Sequence, residues 1–326
     1  DCPAISSPTP FVAPFFMSHS QLQAPSAVVM VRPHRFFSNP ETAADNAFQS
    51  RTADACHRAT SQAACAQVTA AAARLHEVGV RVHLFDDDGR HQTPDSVFPN
   101  NWFSTHAGGH VALYPMFASS RRRERRSDVI DLLKAEYRVQ DVVDYSGLEH
   151  DGVFLEGTGA MVLDHVARVA YTAQSNRANP VALERFCSHF QYEPMAFATA
   201  DSTGVPCYHT NVMLCIGTEF VLGGFYLIAD PTRRAAVQAR LAEGGREVIA
   251  LDARQISEFA GNALEVTGQG GQRWLALSER AAASLTPEQR AAIERSARLL
   301  PLHVPAIELA GGSVRCMLAG IHLARR

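Results

Sequence analysis

The sequence predicts an α/β fold, specifically a five-bladed α/β propeller of ββαβ repeats. Three observations predict it. Apolar strand-like runs alternate with helical stretches along the chain, units opening on a small or polar residue recur at even intervals, and the last unit stops before its final strand and helix.

The first elements are Ala27 to Arg32, a β-rich run, then Arg58 to Val78, alanine-rich with apolar residues at helical spacing, then Val80 to Phe85, again strand-like. The first full unit opens at Asn101-Trp102-Phe103 and continues through Gly108-Gly109, a run from His110 to Met116, a helix from about Ser119 to Tyr137 and a strand Val139 to Tyr145. The second opens at Gly159 and runs to a strand Tyr192 to Phe197, with its helix near Pro180 to Phe190. The third opens at Asn211, with a helix Pro231 to Glu243 and a strand Val248 to Leu251. The fourth opens at Asn262, with a helix ending near Leu299 and a strand Pro301 to Val304. The fifth begins at Cys316 to Ala319, and only the amino-terminal strand and helix remain to complete it.

The openings Asn101, Gly159, Asn211, Asn262 and Cys316 lie 58, 52, 51 and 54 residues apart. Closing such an array around an axis would turn every opening residue toward one central pocket. Plain alternation in a doubly wound sheet is the competing reading. Residues 1–25 carry Pro3, Pro8, Pro10, Pro14 and Pro25 and one short apolar patch, Phe11 to Met17. They read as an extended or disordered leader, with a single catalytic domain over 26–326.

Composition narrows the class. With 326 residues, 46% hydrophobic and 19% charged, the chain can bury a large core, and its formal charge of −3 offers no general attraction to nucleic acid or an anionic membrane. The basic run Arg121-Arg122-Arg123-Glu124-Arg125-Arg126 reads as a solvated helix face. Seven scattered cysteines without a C-x-x-C pair argue against both a disulfide framework and a zinc site. The pattern points to a reducing, cytoplasmic setting, to a small-molecule ligand, and to no metal; a homodimer is compatible with it.

The chemistry gathers at the unit openings. Cys316 follows the pair Gly311-Gly312 and a short apolar step, where a strand starting at a tight turn would leave its sulfur exposed as a nucleophile. A free thiol of pKa about 8.5 needs a nearby base or cation to become thiolate, and His209, beside the Asn211 opening, is the supplier. Glu156, between an apolar pair and glycines, would orient that imidazole or accept from an NH-rich ligand. A cysteine buried as apolar filler is the plainer alternative.

These motifs resemble the guanidine-modifying (pentein) superfamily of arginine deiminases, dimethylarginine dimethylaminohydrolases and amidinotransferases. The likeness rests on Glu156 in L-E-G-x-G, His209 in H-T-N and Cys316 in G-G-x-x-R-C-M. Met30-x-Arg32-Pro33 with Phe36, Asn39-Pro40-Glu41-Thr42, Asp45-Asn46-x-Phe48-Gln49, Phe98-Pro99-Asn100-Asn101-Trp102 and Ala260-Gly261-Asn262 resemble its arginine-deiminase-related subgroup of citrulline hydrolases. The resemblance spans nearly the whole chain and implies a five-bladed propeller, a covalent thiol mechanism and no cofactor. Catalysis would fall to Cys316, His209 and Glu156, and an amino-acid substrate would be held by Asp95, Asn101 and Asn211. Asn262 completes the ring of openings, and Arg32 and Arg315 are candidates for the substrate carboxylate or for structural ion pairs.

Two departures bear on the substrate. Where dimethylarginine hydrolases carry D-x-V-F-x-x-D this chain ends the motif on Asn101, and where arginine deiminases read H-x-D it has His209-Thr210-Asn211. Amides both donate and accept, which suits a neutral ureido group better than a guanidinium fork. Citrulline, hydrolysed to ornithine, ammonia and carbon dioxide, is therefore expected ahead of arginine or methylarginines; a non-catalytic binding propeller is the alternative from another class.

Overall fold

A computed structural model describes residues 22–43, 46, 48–49 and 57–326. Its strands are β1 (Ala27–Pro33), β2 (Arg81–Asp87), β3 (Phe103–His106), β4 (His110–Leu113), β5 (Asp141–Asp144), β6 (Met161–Asp164), β7 (Val169–Ala173), β8 (Glu193–Phe197), β9 (Leu214–Ile216), β10 (Phe220–Gly223), β11 (Glu247–Ala250), β12 (Leu264–Thr267), β13 (Arg273–Ser278), β14 (Arg298–Leu302) and β15 (Ala319–Gly320). Among the described residues they form five three-stranded mixed sheets, β3-β4-β5, β6-β7-β8, β9-β10-β11, β12-β13-β14 and β15-β1-β2.

Each sheet repeats one pattern, an antiparallel pair followed by a parallel partner reached through a helical crossover. A parallel neighbour cannot be joined by a tight hairpin, so a helix must carry the chain back. The fifth sheet joins the two ends of the described chain: β15 pairs antiparallel with β1, Val28 opposite Gly320 and Val29 opposite Ala319, and β1 pairs parallel with β2. That closure answers the incomplete fifth unit of the sequence.

The crossover helices bury one stripe each. Helix Pro180–Phe190 starts on Asn179, whose side chain accepts from Val181 N, and buries Ala182, Leu183, Phe186, Cys187 and Phe190 at helical spacing. Phe186 is fully buried and packs on Phe190 and Tyr192; truncating such a ring to alanine typically costs about 3–5 kcal/mol. Helix His57–Glu77 covers the β15-β1-β2 sheet through Ala64, Val68, Ala71 and Leu75.

Several elements differ from the sequence reading. The expected Ser119 to Tyr137 helix is two pieces, Ser119–Arg122 and Ser127–Glu136, because Arg126 adopts extended backbone between them. The helix before β14 likewise divides into Glu279–Ser284 and Pro287–Glu294, where Leu285 is extended and Pro287 starts a new, Thr286-capped turn. Residues 1–21, including Phe11 to Met17, lie outside the described residues, but 22–25 are not a loose leader. Gln23 is buried, donating to Leu163 O at 3.0 Å and Ile216 O at 3.1 Å, and Pro25 O accepts from Thr267 N. The boundary of the packed chain therefore lies before residue 26. No helix among the described residues is long and apolar enough to cross a membrane.

Candidate active site

Four of the five unit openings are short helical turns rather than strand starts, and Asn262 lies in a bend before β12. Pro99–Asn101, Gly157–Ala160, Thr210–Val212 and Val314–Met317 each precede the first strand of their sheet. The Gly157–Ala160 turn packs on both Pro99–Asn101 and Thr210–Val212, and Val314–Met317 packs on Pro99–Asn101. Close approach here demands glycine: a Cβ on Gly159 would lie 2.2 Å from the Asn101 amide and 2.9 Å from His209 Nδ1.

Cys316 sits in its turn with Cys316 N donating to Ser313 O at 3.0 Å, and it is 2% exposed. The expectation of an exposed sulfur is thus corrected, because the turn aims the side chain inward rather than off a strand edge. Its Sγ accepts from two amides, Asn211 Nδ2 and Asn262 Nδ2, both at 3.2 Å. Asn262 is held in turn by Asn211 O at 2.9 Å and by Ser313 N, which donates to its Oδ1 at 3.1 Å. The Oδ1 of Asn211 is buried without a partner among the described residues.

His209 and Glu156 are both buried, with His209 Nε2 2.7 Å from Glu156 Oε2. An ionised carboxylate only accepts, so Nε2 carries the ring proton and Nδ1 is left with its lone pair. Burial pulls the imidazole down to about 4, against the opposing pull of Glu156, so the ring is neutral at pH 7. Burial would raise the Glu156 carboxyl, yet the Arg177 guanidinium, the His209 hydrogen bond and Arg121 hold it below the ordinary carboxylate range. Glu156 Oε1 also accepts from Phe117 N at 3.0 Å.

Asp95, His209, Asn101 and Cys316 line one small cavity of about 20 Å³, together with Thr42, Asn46, Phe98, Arg121, Arg177, Tyr208, Ala310 and Gly312. Asp95 accepts from Asn39 Nδ2 at 2.8 Å and faces Arg121 Nε at 3.8 Å; burial pushes its carboxyl up, with Arg121 opposing. With its amide oriented by its neighbours, Asn101 accepts from Arg121 Nη1 at 2.8 Å and Nη2 at 3.0 Å and donates to Asn100 Oδ1 at 3.1 Å. Its amide is engaged by Arg121 rather than turned to the sulfur. Among the described residues no group of three or more His, Cys, Asp or Glu side chains is arranged to hold a metal ion.

Two candidate arginines lie outside this cavity. Arg32 lines none of this cavity; it pairs with Asp86, its register partner across β1 and β2, at 2.7 and 2.9 Å. Arg315 also points elsewhere, donating to Leu318 O at 3.0 Å and lining a different cavity with Cys215 and His322. Neighbouring residues of a short turn project in different directions, so adjacency to Cys316 did not bring Arg315 into its pocket.

The arginines present are Arg121 and Arg177, each 2% exposed, with Nη1 atoms 3.6 and 3.5 Å from Glu156 Oε2. Arg121 also binds Glu124 in a bidentate pair at 3.0 Å. The run 121–126 is therefore not a plain solvated face: Arg121 turns inward, Arg122 donates to Met116 O and Arg125 pairs with Glu149. Charge density along the run hid this, since Arg121 is buried inside the short Ser119–Arg122 turn. Arg177 carried no signal, lying in an irregular turn. Tyr208, whose OH donates to Gly311 O at 2.7 Å, also went unsingled. Asp45 of the quoted motif lies outside the described residues, whereas Asn46 donates to Ala310 O at 3.1 Å beside the cavity.

A family model described as N,N dimethylarginine dimethylhydrolase, eukaryotic, matches residues 32–323. The chain belongs to that family. The N,N dimethylarginine dimethylhydrolase family places it in the guanidine-modifying superfamily that the motifs resemble. Its α/β fold matches those of solved relatives. The N-terminal domain of a mutant ArgZ bound to substrate, an arginine dihydrolase from the ornithine-ammonia cycle in cyanobacteria, superposes with a TM-score of 0.70 at 15% identity, covering 90% of this chain and 97% of that one. A dimethylarginine dimethylaminohydrolase adduct with 4-chloro-2-hydroxymethylpyridine gives 0.59 at 15% identity, covering 92% and 99%. Unliganded AgrE gives 0.70 at 15%, covering 92% of this chain and 40% of that one. No curated protein sequence matches the chain.

Proposed function

We propose that this member of the dimethylarginine hydrolase family is a cysteine-dependent hydrolase of a C–N bond in a ureido amino acid, citrulline before arginine. One observation carries the preference: the two carboxylates nearest the cavity, Asp95 and Glu156, already face guanidinium groups of the protein itself, Arg121 and Arg177. A substrate guanidinium would meet two fixed cations and no unpaired acid. A neutral ureido group meets no such repulsion, its oxygen suits a cationic wall, and its N–H can donate to the unpartnered Asn211 Oδ1.

In this reading the neutral His209 takes the Cys316 proton on Nδ1, and the thiolate, supported by the Asn211 and Asn262 amides, attacks the ureido carbon. Glu156 holds the resulting imidazolium, which returns the proton to the departing ornithine nitrogen as the C–N bond breaks. The remaining S-carbamoyl group is cleaved by a water that His209 deprotonates. The carbamate released decomposes, so citrulline and water become ornithine, ammonia and carbon dioxide. A cavity of about 20 Å³ holds about one water, so its walls must part to admit an amino acid.

The same reading takes the five sheets as blades of one propeller that includes the packed residues 22–25, closed by the pairing of β15 with β1, in a cytoplasmic enzyme with no cofactor. A guanidino substrate is the second reading, favoured by the presence of Asp95 in the cavity and by the arginine and dimethylarginine hydrolases it resembles. Turnover of citrulline, arginine, dimethylarginine and agmatine side by side decides. Citrulline is expected to have the highest kcat/KM; arginine leading it would overturn the ureido assignment and leave the thiol chemistry standing.

A further inference from the structure

A cavity lined by arginines and histidines lies away from Cys316. A cavity of about 390 Å³, within the usual range for small-ligand sites, is bounded by Leu22 to Ser26, the Ala107-Gly108-Gly109 turn, Arg138 and Gln140, and Ile321 to Ala324. Arg138, His165, Arg168 and His322 face it. A narrower cavity of about 30 Å³ shares His165 and His322 with it and reaches Arg315. Neither has an aspartate or glutamate among its described lining residues, although acidic residues outnumber Lys and Arg in the chain by 33 to 30. Neither shares a lining residue with the Cys316 cavity.

Arg315 supplies an independent observation. The fully buried arginines among the described residues each face a carboxylate: Arg121 and Arg177 face Glu156, and Arg246 binds Asp164. Arg315 is largely enclosed, yet among the described residues it forms no ion pair and its guanidinium donates only to Leu318 O. A charge withdrawn from water without a counter-ion is strongly disfavoured. At the mouth, the Arg138 side chain has no hydrogen bond or ion pair among the described residues. The His165 and His322 rings stack at 3.7 Å with His165 Nδ1 engaged by Tyr192 at 3.0 Å, leaving Nε2 for a ligand. Leu22, Pro25, Ile321 and Leu323 provide the apolar part of the wall.

We infer that this paired cavity is a second ligand site, separate from the catalytic one, for a small organic anion: a carboxylate or phosphate group on a short aliphatic body. The acid group takes the place of the missing carboxylate among Arg315, His165, His322 and the arginines of the mouth, and the aliphatic body lies against Ile321 and Leu323. An arginine fork pairs bidentately with either acid.

Calorimetric titration of the full chain with glutarate, inorganic phosphate and neutral glutaramide tests this. Glutarate is expected to bind at one site, more tightly than phosphate, with glutaramide silent. Arg138→Gln, at an exposed position that leaves the fold intact, and Arg315→Gln should each weaken glutarate at least 10-fold. Protein alkylated on Cys316 should bind glutarate as before. Absence of glutarate binding at millimolar concentration, binding indifferent to both substitutions, tighter phosphate than glutarate, or loss on alkylation would each overturn the assignment.

Discussion

His209 Nε2 and Glu156 Oε2 lie 2.7 Å apart with both side chains buried, and two arginines close on the same oxygen. That carboxylate fixes the imidazole tautomer and neutralises Arg121 and Arg177. Glu156→Gln keeps the shape but removes the charge. It should lower kcat by about 100-fold or more, the scale of a lost acid–base partner. It should also cost about 3 kcal/mol of stability, since two buried guanidinium groups each lose an acidic neighbour. Steady-state turnover and denaturant melts check both, and a variant that matches the native protein in each would show Glu156 to be a bystander.

The two amides on Cys316 give a second expectation. Hydrogen bonds to a charged group are worth about 1.5–3 kcal/mol each. Asn262→Ala or Asn211→Ala should therefore slow alkylation of Cys316 by 2-chloroacetamidine at least 10-fold at neutral pH. Peptide mass spectrometry reads this directly and also shows whether Cys316 alone is labelled among the seven cysteines. Uniform labelling would favour a non-catalytic binding protein.

Acid should destabilise the fold in a defined window. Burial lowers His209 and His322 to about 4 and His106 and His165 well below the ordinary 6.5. Between pH 6.5 and 4 the unfolded chain binds protons on these rings that the folded chain refuses, so stability falls as pH falls. His209 alone accounts for about 3 kcal/mol across that window. Glu156, depressed in the folded state, adds a loss that begins as pH falls below about 4.5. Burial raises the carboxyls of Asp95, Glu124, Glu265 and Glu308, which oppose this loss, so urea denaturation at pH 7.5, 6.0 and 5.0 is read beside direct titration of the rings; imidazoles that titrate near 6.5 would overturn the expectation.

Much of this was legible from residues alone. Even spacing of the openings Asn101, Gly159, Asn211, Asn262 and Cys316 announced the five repeated sheets, because each unit is a locally complete ββαβ piece whose apolar periodicity is written in its own residues. Glu156, His209 and Cys316 could be singled out because acids, bases and thiols beside glycines are poorly explained as surface or filler. Arg121 could not: a guanidinium in a run of arginines reads the same whether it faces solvent or Glu156. Its burial is set by tertiary contact with Glu124, Asp95 and Glu156. Arg32 took the structural ion pair that was one of its two expected roles, and Arg315 faces another cavity, since neighbours in sequence say nothing about direction at a turn.

The sequence by itself determined the repeat, the closing of the last unit by the first strand, and the chemical identities of thiol, imidazole and carboxylate. Tertiary structure decided which charges meet. It placed Arg121 and Arg177 on Glu156, spent Asn101 on Arg121, gave Cys316 its two amide donors, and left Arg315 in a cavity without an acid. Periodicity and composition are local and survive in a linear string. Polar pairing between residues 20 to 105 positions apart exists only once the turns that carry them are packed together.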